Sequence, residues 1–166
     1  MLMNKMREAG VVSDYALFGA AAQMRYTEAV ATLDADVLVA VSQSDRLDVL
    51  GPIYAYCRAQ GYEAEGDAVR VGGWPVQFVP VFSELTRDAV NAAETADFEG
   101  VPFRVVDAVH LAVIALSVGR AKGYARMLAL LESGAVTREA VGGLAVTHGL
   151  DAAWGRFCRR FLDDRD

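Results

Sequence analysis

Two aspartates separated by one residue, Asp34 and Asp36, are the residues of this sequence best suited to metal chemistry. They open a valine-rich segment, DADVLVAV, which predicts a β-strand over 34–41. Side chains at positions i and i+2 of a strand project from the same face, about 6.6 Å apart. Two carboxylates so placed can hold Mg²⁺, which prefers oxygen ligands and usually shares substrate phosphates. Taken alone, however, such a pair is more typical of a solvated strand end.

A glycine that follows a short apolar segment is the second feature that could bind a ligand. The segment 15–18 predicts a buried strand, and Gly19 leads from it into a helix predicted over 20–24. The free N–H groups and the positive dipole end at a helix start favour phosphate. A single glycine at such a turn is common, so this feature alone is a weak signal.

The length and the composition predict one domain. The chain has 166 residues, of which 54% are hydrophobic, and this is enough for a core. The net charge of −6 disfavours generic DNA binding, which depends on many Lys and Arg contacts to phosphates. We therefore predict a single domain over 1–166, with a core at 13–106 and a helical tail at 107–166.

Neither secretion nor membrane insertion is predicted. The chain starts with the charged segment MLMNKMREAG, which lacks the apolar region of a secretory signal. The longest apolar stretch, 105–118, is interrupted by Asp107 and His110 and is shorter than the roughly 20 residues of a membrane span. Cys57 and Cys158 are expected to be free thiols in a reducing compartment. A cytoplasmic protein with no membrane partner is the resulting prediction.

The elements that must position these residues form an α/β or α+β pattern. Strand-like segments separated by glycine-containing turns predict a mixed sheet, and the pattern becomes helical from 107 onward. Pro52 is expected to kink or break its helix. The predicted strands are 15–18, 34–41, 62–65, 68–71, 74–81 and 101–106, and the predicted helices are 4–10, 20–24, 46–60, 83–96, 107–118, 121–132, 138–147 and 151–162.

The order of these features resembles the opening of the nucleotidyltransferase superfamily, in the small bacterial branch of minimal and AbiEii-type proteins. The likeness runs through YALFGAAAQMRYTEAVATLDADVLV, which has a strand, a glycine turn, a helix of about ten residues and Thr-x-Asp-x-Asp. The resemblance implies a mixed β-sheet flanked by helices, with a C-terminal helical segment. It also implies that Gly19 and Ala20 contact a nucleoside triphosphate, and that Asp34 and Asp36 hold divalent metal, expected to be Mg²⁺.

The likeness extends into the second half of the chain. The segments VQFVP at 76–80 and FRVVDAVHLAVIALSVGRAKGYARMLALLESGAV at 103–136 are similar to the family's later strands and helices. Arg120 and Lys122 fall on the basic positions of the family's Gly-Arg-x-Lys-Asp turn, where they could reach nucleotide phosphates. An ordinary charged helix–helix junction is the other interpretation of these two residues.

Several positions depart from the family's catalytic pattern. Active members carry a third carboxylate on a strand after the hairpin, and Gln77 occupies that place here. A neutral amide cannot act as a base, so a substitute would have to come from acidic residues on a neighbouring strand. Those acidic residues are Glu63, Glu65 and Asp67. The other departures from the family's pattern are Ala20 in place of Ser, Val109 in place of Glu and Gly123 in place of Asp.

Three functions are compatible with these features. The first is a metal-dependent nucleotidyltransferase that moves a nucleoside monophosphate from NTP to a hydroxyl of a small molecule, a protein or an RNA. The second is a catalytically impaired relative that binds nucleotide or a protein partner, of the toxin–antitoxin or stress-response type. The third is an interaction module whose Asp pair is accidental. His110, in an apolar helix, is predicted to be packed and hydrogen-bonded, although imidazole can transfer protons near neutral pH.

Overall fold

The computed structural model describes residues 2–28, 31–42 and 48–163. Within these ranges the strands are β1 (Asp14–Phe18), β2 (Ala35–Ala40), β3 (Glu63–Glu65), β4 (Ala68–Val71), β5 (Trp74–Pro80), β6 (Glu94–Phe98) and β7 (Val101–Val105). The helices are α1 (Leu2–Glu8), α2 (Gly19–Gln23), α3 (Gly51–Ala59), α4 (Glu84–Asn91), α5 (Ala108–Val118), α6 (Ala121–Glu132), α7 (Arg138–Thr147) and α8 (Asp151–Phe161).

The strands form one seven-stranded mixed sheet in the order β3-β4-β5-β2-β1-β7-β6. Strand β2 runs antiparallel to β1 and parallel to β5, while β7 runs parallel to β1. As a result, β1 and β7 finish at the same end of the sheet at which β2 and β5 begin. We call this the site end, because the residues singled out in the sequence lie there. The predicted mixed sheet flanked by helices is confirmed.

Helices cover both faces of the sheet, because alternate residues of the central strands are apolar on both sides. On one face, Ala16 of β1 and Leu38 of β2 pack into a cluster with residues of α4 and of the helical tail. On the other face, Val37 and Val39 of β2 pack with residues of α1 and α3. The first cluster therefore joins the sheet and the tail in one continuous core.

Helix α5 is the central helix of this core. Seven of its eleven residues are buried, which explains why its sequence is apolar on nearly every side. Asp107 caps its start by accepting a hydrogen bond from the backbone N–H of His110 at 2.9 Å. Gly119 ends it in the left-handed conformation, with φ of 68°. None of the helices in the described part of the chain is long and apolar enough to cross a membrane.

Three element predictions differ from the structure. Helix α4 ends at Asn91, and the segment after it, 94–98, is an edge strand rather than the last turn of the predicted helix. Helix α2 has five residues, close to the predicted 20–24 but shorter than the helix of about ten residues in the family's opening pattern. Helix α3 begins at Gly51, so Pro52 lies in the first turn, where its missing N–H is tolerated, rather than at a kink. The predicted start of that helix, 46–47, lies outside the described residues.

Acidic side chains line both edges of the sheet. All three residues of β3 are exposed, including Glu63 and Glu65, and β6 exposes Glu94 and Asp97. Charged side chains on edge strands oppose pairing with the strands of another molecule. Inside the fold, Cys57 is buried and does not form a disulfide.

Candidate functional site

The glycine turn and the second aspartate are in direct contact at the site end of the sheet. Phe18 of β1 is the register partner of Asp36 of β2, so Gly19 follows directly beside that carboxyl group. Gly19 has φ of +71°, and a Cβ at this position would lie 2.5 Å from Asp36 Oδ2. Only glycine allows both the backbone conformation and this close approach. The fold therefore brings together the two features that the sequence separates by sixteen residues.

Asp34 lies immediately before β2, two residues from Asp36, and both side chains are half-buried. The Thr32 hydroxyl lies 2.8 Å from the backbone oxygen of Asp34 and 3.3 Å from its Oδ1, and it fixes the turn before the strand. Burial raises the pKa of Asp36, the negative charge of Asp34 raises it further, and the charge of Arg126 opposes both effects. The two carboxylates are thus close enough to repel each other, which is the electrostatic condition that a divalent cation relieves.

Gln77 is the direct neighbour of Asp36 across the parallel β2–β5 pair. Paired residues of adjacent strands lie about 4.8 Å apart and point to the same face of the sheet. The amide of Gln77 therefore lies beside the carboxyl group of Asp36 on the same face of the sheet. Across the ranges that the structure describes, His, Cys, Asp and Glu side chains do not assemble in any group of three suited to a metal.

Glu65, one of the acidic residues considered as substitutes for Gln77, does not reach this position. Glu65 pairs with Ala68 and Ala68 with Gln77, so a row of paired residues runs from Glu65 to Asp36 across four strands. Three strand spacings separate the two acids, which is about 14 Å. Glu65 also forms an ion pair with Arg70 at 2.5 Å. The site thus has two carboxylates on the sheet and a neutral amide beside them.

Arg126 of α6 is a site residue that sequence reasoning missed. Its Nε donates a hydrogen bond to Oε1 of Gln23 at 3.1 Å, and Gln23, the last residue of α2, is only 4% exposed. Burial lowers the pKa of Arg126, whereas the charge of Asp36 raises it. One signal could have identified it, since Arg126 stands within the buried pattern of Gly123 and Met127 and so cannot face fully into solvent.

Arg120 and Lys122 lie at the start of α6, and both are exposed. Lys122 precedes Arg126 by four residues, and residues so spaced share one face of a helix. Lys122 is therefore on the same side of α6 as Arg126. Arg120 precedes the helix as its N-cap residue, and its side chain does not cap the helix. Gly123, which stands where the family carries Asp, is buried against α5; a Cβ there would lie 3.0 Å from the backbone oxygen of Ala115.

Asp107 and His110 form a hydrogen-bonded pair next to the glycine turn. The backbone N–H of Val106 donates to the oxygen of Leu17 at 2.9 Å, which places Asp107 beside the end of β1. His110 Nδ1 lies 2.7 Å from Asp107 Oδ2. Burial opposes ionisation of Asp107, but hydrogen bonds from the ring and backbone of His110 outweigh it and lower the pKa of that carboxyl group. His110 is hydrogen-bonded, as predicted, and the pair caps α5.

The donor set fits Mg²⁺ shared with a phosphorylated ligand better than a metal held by protein alone. Mg²⁺ commonly binds one or two protein carboxylates and fills its other positions with water and phosphate oxygens. Asp34 and Asp36 provide such a pair, and Arg126 of α6 is near enough for its charge to act on Asp36. A cavity of about 390 Å³ on the opposite face of the sheet is lined by residues that include Tyr54, Cys57 and Tyr62, and it does not include the aspartates.

Comparison with known proteins identifies the fold class. No protein-family model matches the chain, and no curated protein sequence matches it either. Among solved structures, an antigenic nucleotidyltransferase-like protein from Paracoccidioides brasiliensis superposes with a TM-score of 0.56 at 14% identity. The match covers 93% of this chain and 88% of that one. The chain therefore has a nucleotidyltransferase-like fold, as the sequence predicts.

Two structures of the antibiotic-resistance factor ANT(2'')-Ia are also similar. The solution structure gives a TM-score of 0.46 at 12% identity, covering 96% of this chain and 89% of that chain. The complex with adenylyl-2''-tobramycin gives a TM-score of 0.45 at 13% identity, covering 96% of this chain and 95% of that chain. At these levels of identity the similarity concerns the fold alone, and the minimal or AbiEii-type branch stays a prediction.

Proposed function

We propose that this protein binds a Mg²⁺–nucleoside triphosphate at the site end of the sheet and transfers a nucleoside monophosphate to an acceptor hydroxyl. The observation that carries this proposal is the contact between Gly19 and Asp36, with Asp34 beside them. This contact supports the proposal because it brings the candidate phosphate-binding turn and the candidate metal ligands together. The nucleotidyltransferase-like fold supports the same assignment.

Each residue of the site has a separate role in this proposal. Asp34 and Asp36 hold divalent cation, and Gly19 and Ala20 bring backbone close to the triphosphate. Arg120 and Lys122 offset the negative charge of the leaving pyrophosphate, Lys as a point charge and Arg through its planar fork. When bound, divalent cations neutralise charge on the attacking and leaving oxygens of such a displacement.

The proposed reaction is an in-line displacement at the α-phosphorus. The acceptor oxygen forms a bond to that phosphorus while the bond to pyrophosphate breaks, and the hydroxyl proton passes to solvent water. Gln77 cannot accept this proton, because an amide is neutral and has no basic lone pair of suitable strength. The site therefore positions the reactants without a strong base, and slow turnover is expected.

The test is transfer of label from α-labelled ATP, in the presence of Mg²⁺, to small-molecule, protein and RNA acceptors. Asp34→Asn should abolish transfer and also the rise in melting temperature caused by Mg²⁺–ATP, because a ligand that binds the native state stabilises it. Asp151→Asn, at the exposed start of α8, is the matched control and should retain both. Absence of both stabilisation and transfer in the wild-type protein would refute the proposal.

A catalytically impaired nucleotide-binding protein is the second candidate, and the position of Gln77 favours it. Such a protein would be stabilised by Mg²⁺–ATP without transferring label, and it could act on a protein partner of the toxin–antitoxin or stress-response type. Gln77→Asp separates the two candidates, because it adds a carboxylate next to Asp36. Appearance of turnover in this variant alone would identify the natural protein as the impaired form. Equal, measurable turnover in both would favour the enzyme.

A further inference from the structure

Arg126 is a half-buried cation next to the candidate site that the proposed roles above do not use. Its charge acts on Asp36, and its helix packs against α2, which follows the glycine turn. None of the ion pairs within the described ranges involves Arg126. A guanidinium removed from water without a carboxylate in direct contact is costly unless another anion balances it.

Gln23 holds this guanidinium by an uncharged hydrogen bond. Its Oε1 accepts from Arg126 Nε at 3.1 Å, and its Nε2 donates to the hydroxyl of Thr27 at 3.3 Å. Both ends of a buried amide are thus used, which fixes the orientation of Gln23. Among the described residues, only Nε of Arg126 has a hydrogen-bond partner, so the two terminal nitrogens of the guanidinium can serve as a fork for two oxygens.

We propose that Arg126, positioned by Gln23, binds phosphate oxygens in the pyrophosphate portion of the bound triphosphate. This inference rests on the proposed function, since it needs a triphosphate at the site. The fork matches two phosphate oxygens, and a neutral amide holds the arginine without cancelling its charge. A carboxylate at position 23 would hold Arg126 equally well but would neutralise it. Gln23 therefore keeps the cation both oriented and charged.

The test measures binding of α,β-methylene-ATP and of AMP, each with Mg²⁺, by calorimetry. Arg126→Gln should weaken binding of the triphosphate analogue about tenfold or more, as expected for a lost charged fork. Binding of AMP, which lacks the pyrophosphate portion, should change less than about twofold. Arg156→Gln, at an exposed position of α8, is the control and should bind both ligands as the wild type does.

Two further variants keep the test decisive if Arg126→Gln fails to fold. Arg126→Lys retains the charge but not the fork, so it should weaken binding of the analogue by a smaller factor. Gln23→Glu should also weaken it, because the new carboxylate would pair with Arg126. Unchanged binding of the analogue in these variants would overturn the role of Arg126 while leaving the proposed function intact. Absence of binding by the wild-type protein would instead overturn the proposed function, and this inference with it.

Discussion

At the scale of single residues, Gly19 has a matched partner in Gly10 that allows its contact with Asp36 to be measured. The two glycines have φ of +71° and +70°, but a Cβ at Gly10 would meet no atom within 4 Å. Both Ala substitutions therefore carry the same backbone cost, about 1–2 kcal/mol for a left-handed residue. Gly19→Ala should cost about 1–3 kcal/mol more, because it displaces the Asp36 carboxylate.

Urea denaturation of the two variants measures this difference. The rise in melting temperature with Mg²⁺–ATP should persist in Gly10→Ala and be lost in Gly19→Ala. Equal free energies of unfolding for the two variants would contradict the close approach described here.

Asp36 is expected to oppose folding at neutral pH. Its pKa is raised in the folded state by burial and by Asp34, so the folded protein binds this proton more tightly than the unfolded chain does. That contribution to stability is present below the ordinary Asp pKa and is lost as the pH rises through the raised value. Asp36→Asn should therefore increase the free energy of unfolding at pH 7 by on the order of 1 kcal/mol.

The increase in the free energy of unfolding caused by Asp36→Asn should become smaller as the pH is lowered through the acidic range. Urea denaturation at several pH values measures this change. Asp151→Asn is the control, and it should slightly lower stability, because it removes a negative charge from the start of α8. A loss of stability in Asp36→Asn at pH 7 would contradict the electrostatic account of the site.

The residues predicted from sequence fall into two groups at this scale. The proximity of Gly19 to the Asp pair and the position of Gln77 could be predicted, because local strand and turn patterns together with the order of motifs place them. Arg126 could be placed on the buried side of α6 but not next to the site, since its neighbour Gln23 lies 103 positions away and only the packing of α6 on α2 joins them. The assignment of these residues to nucleotide and metal binding stays a prediction.

At the scale of elements, two adjacent glycines of α7 provide a test of how α8 packs. Gly143 is exposed and a Cβ there would meet no atom, so Gly143→Ala should stabilise the helix by about 0.5–1 kcal/mol. A Cβ at Gly142 would lie 2.8 Å from Nε1 of Trp154, whose ring stacks on Phe157. Gly142→Ala should therefore cost about 1–3 kcal/mol, because that ring cannot move freely. Thermal denaturation should give a higher melting temperature for Gly143→Ala and a lower one for Gly142→Ala. Equal changes in melting temperature would contradict this packing.

Helices of the tail were easier to predict than the edge strand β6. The tail segments 121–132 and 138–147 have apolar residues at helical spacing with glycines between helices, and their bounds agree with the structure. The segment ETADF at 94–98 has only two apolar residues, because as an exposed edge strand it buries little. It pairs with β7 through a two-residue turn, Glu99-Gly100, in which both residues have positive φ, so the glycine at position 100 was the only strong local signal for this hairpin.

At the scale of the whole molecule, the sheet and the helical tail are expected to unfold together. Ala16 and Leu38 of the sheet share one buried cluster with the residues of α5, so neither part has a complete core of its own. The two tryptophans report on the two parts, since Trp74 lies in β5 and Trp154 in α8. In the variants Trp154→Phe and Trp74→Phe, the remaining fluorescence should give coincident urea transitions. A separate, earlier transition at Trp154 would indicate an independent tail.

The acidic rows along β3 and β6 have a consequence for how the protein behaves in a crowded solution. Among the described residues, the edge strands β3 and β6 each have one partner strand, and an open sheet of this kind can extend from one molecule to the next through its outer backbone groups. The carboxylates of Glu63 and Asp97 bring negative charge to each such junction, whereas Glu65 and Glu94 are paired with Arg70 and Arg25. High ionic strength weakens this repulsion, so salt, rather than heat alone, should govern any tendency of the native protein to polymerise edge to edge.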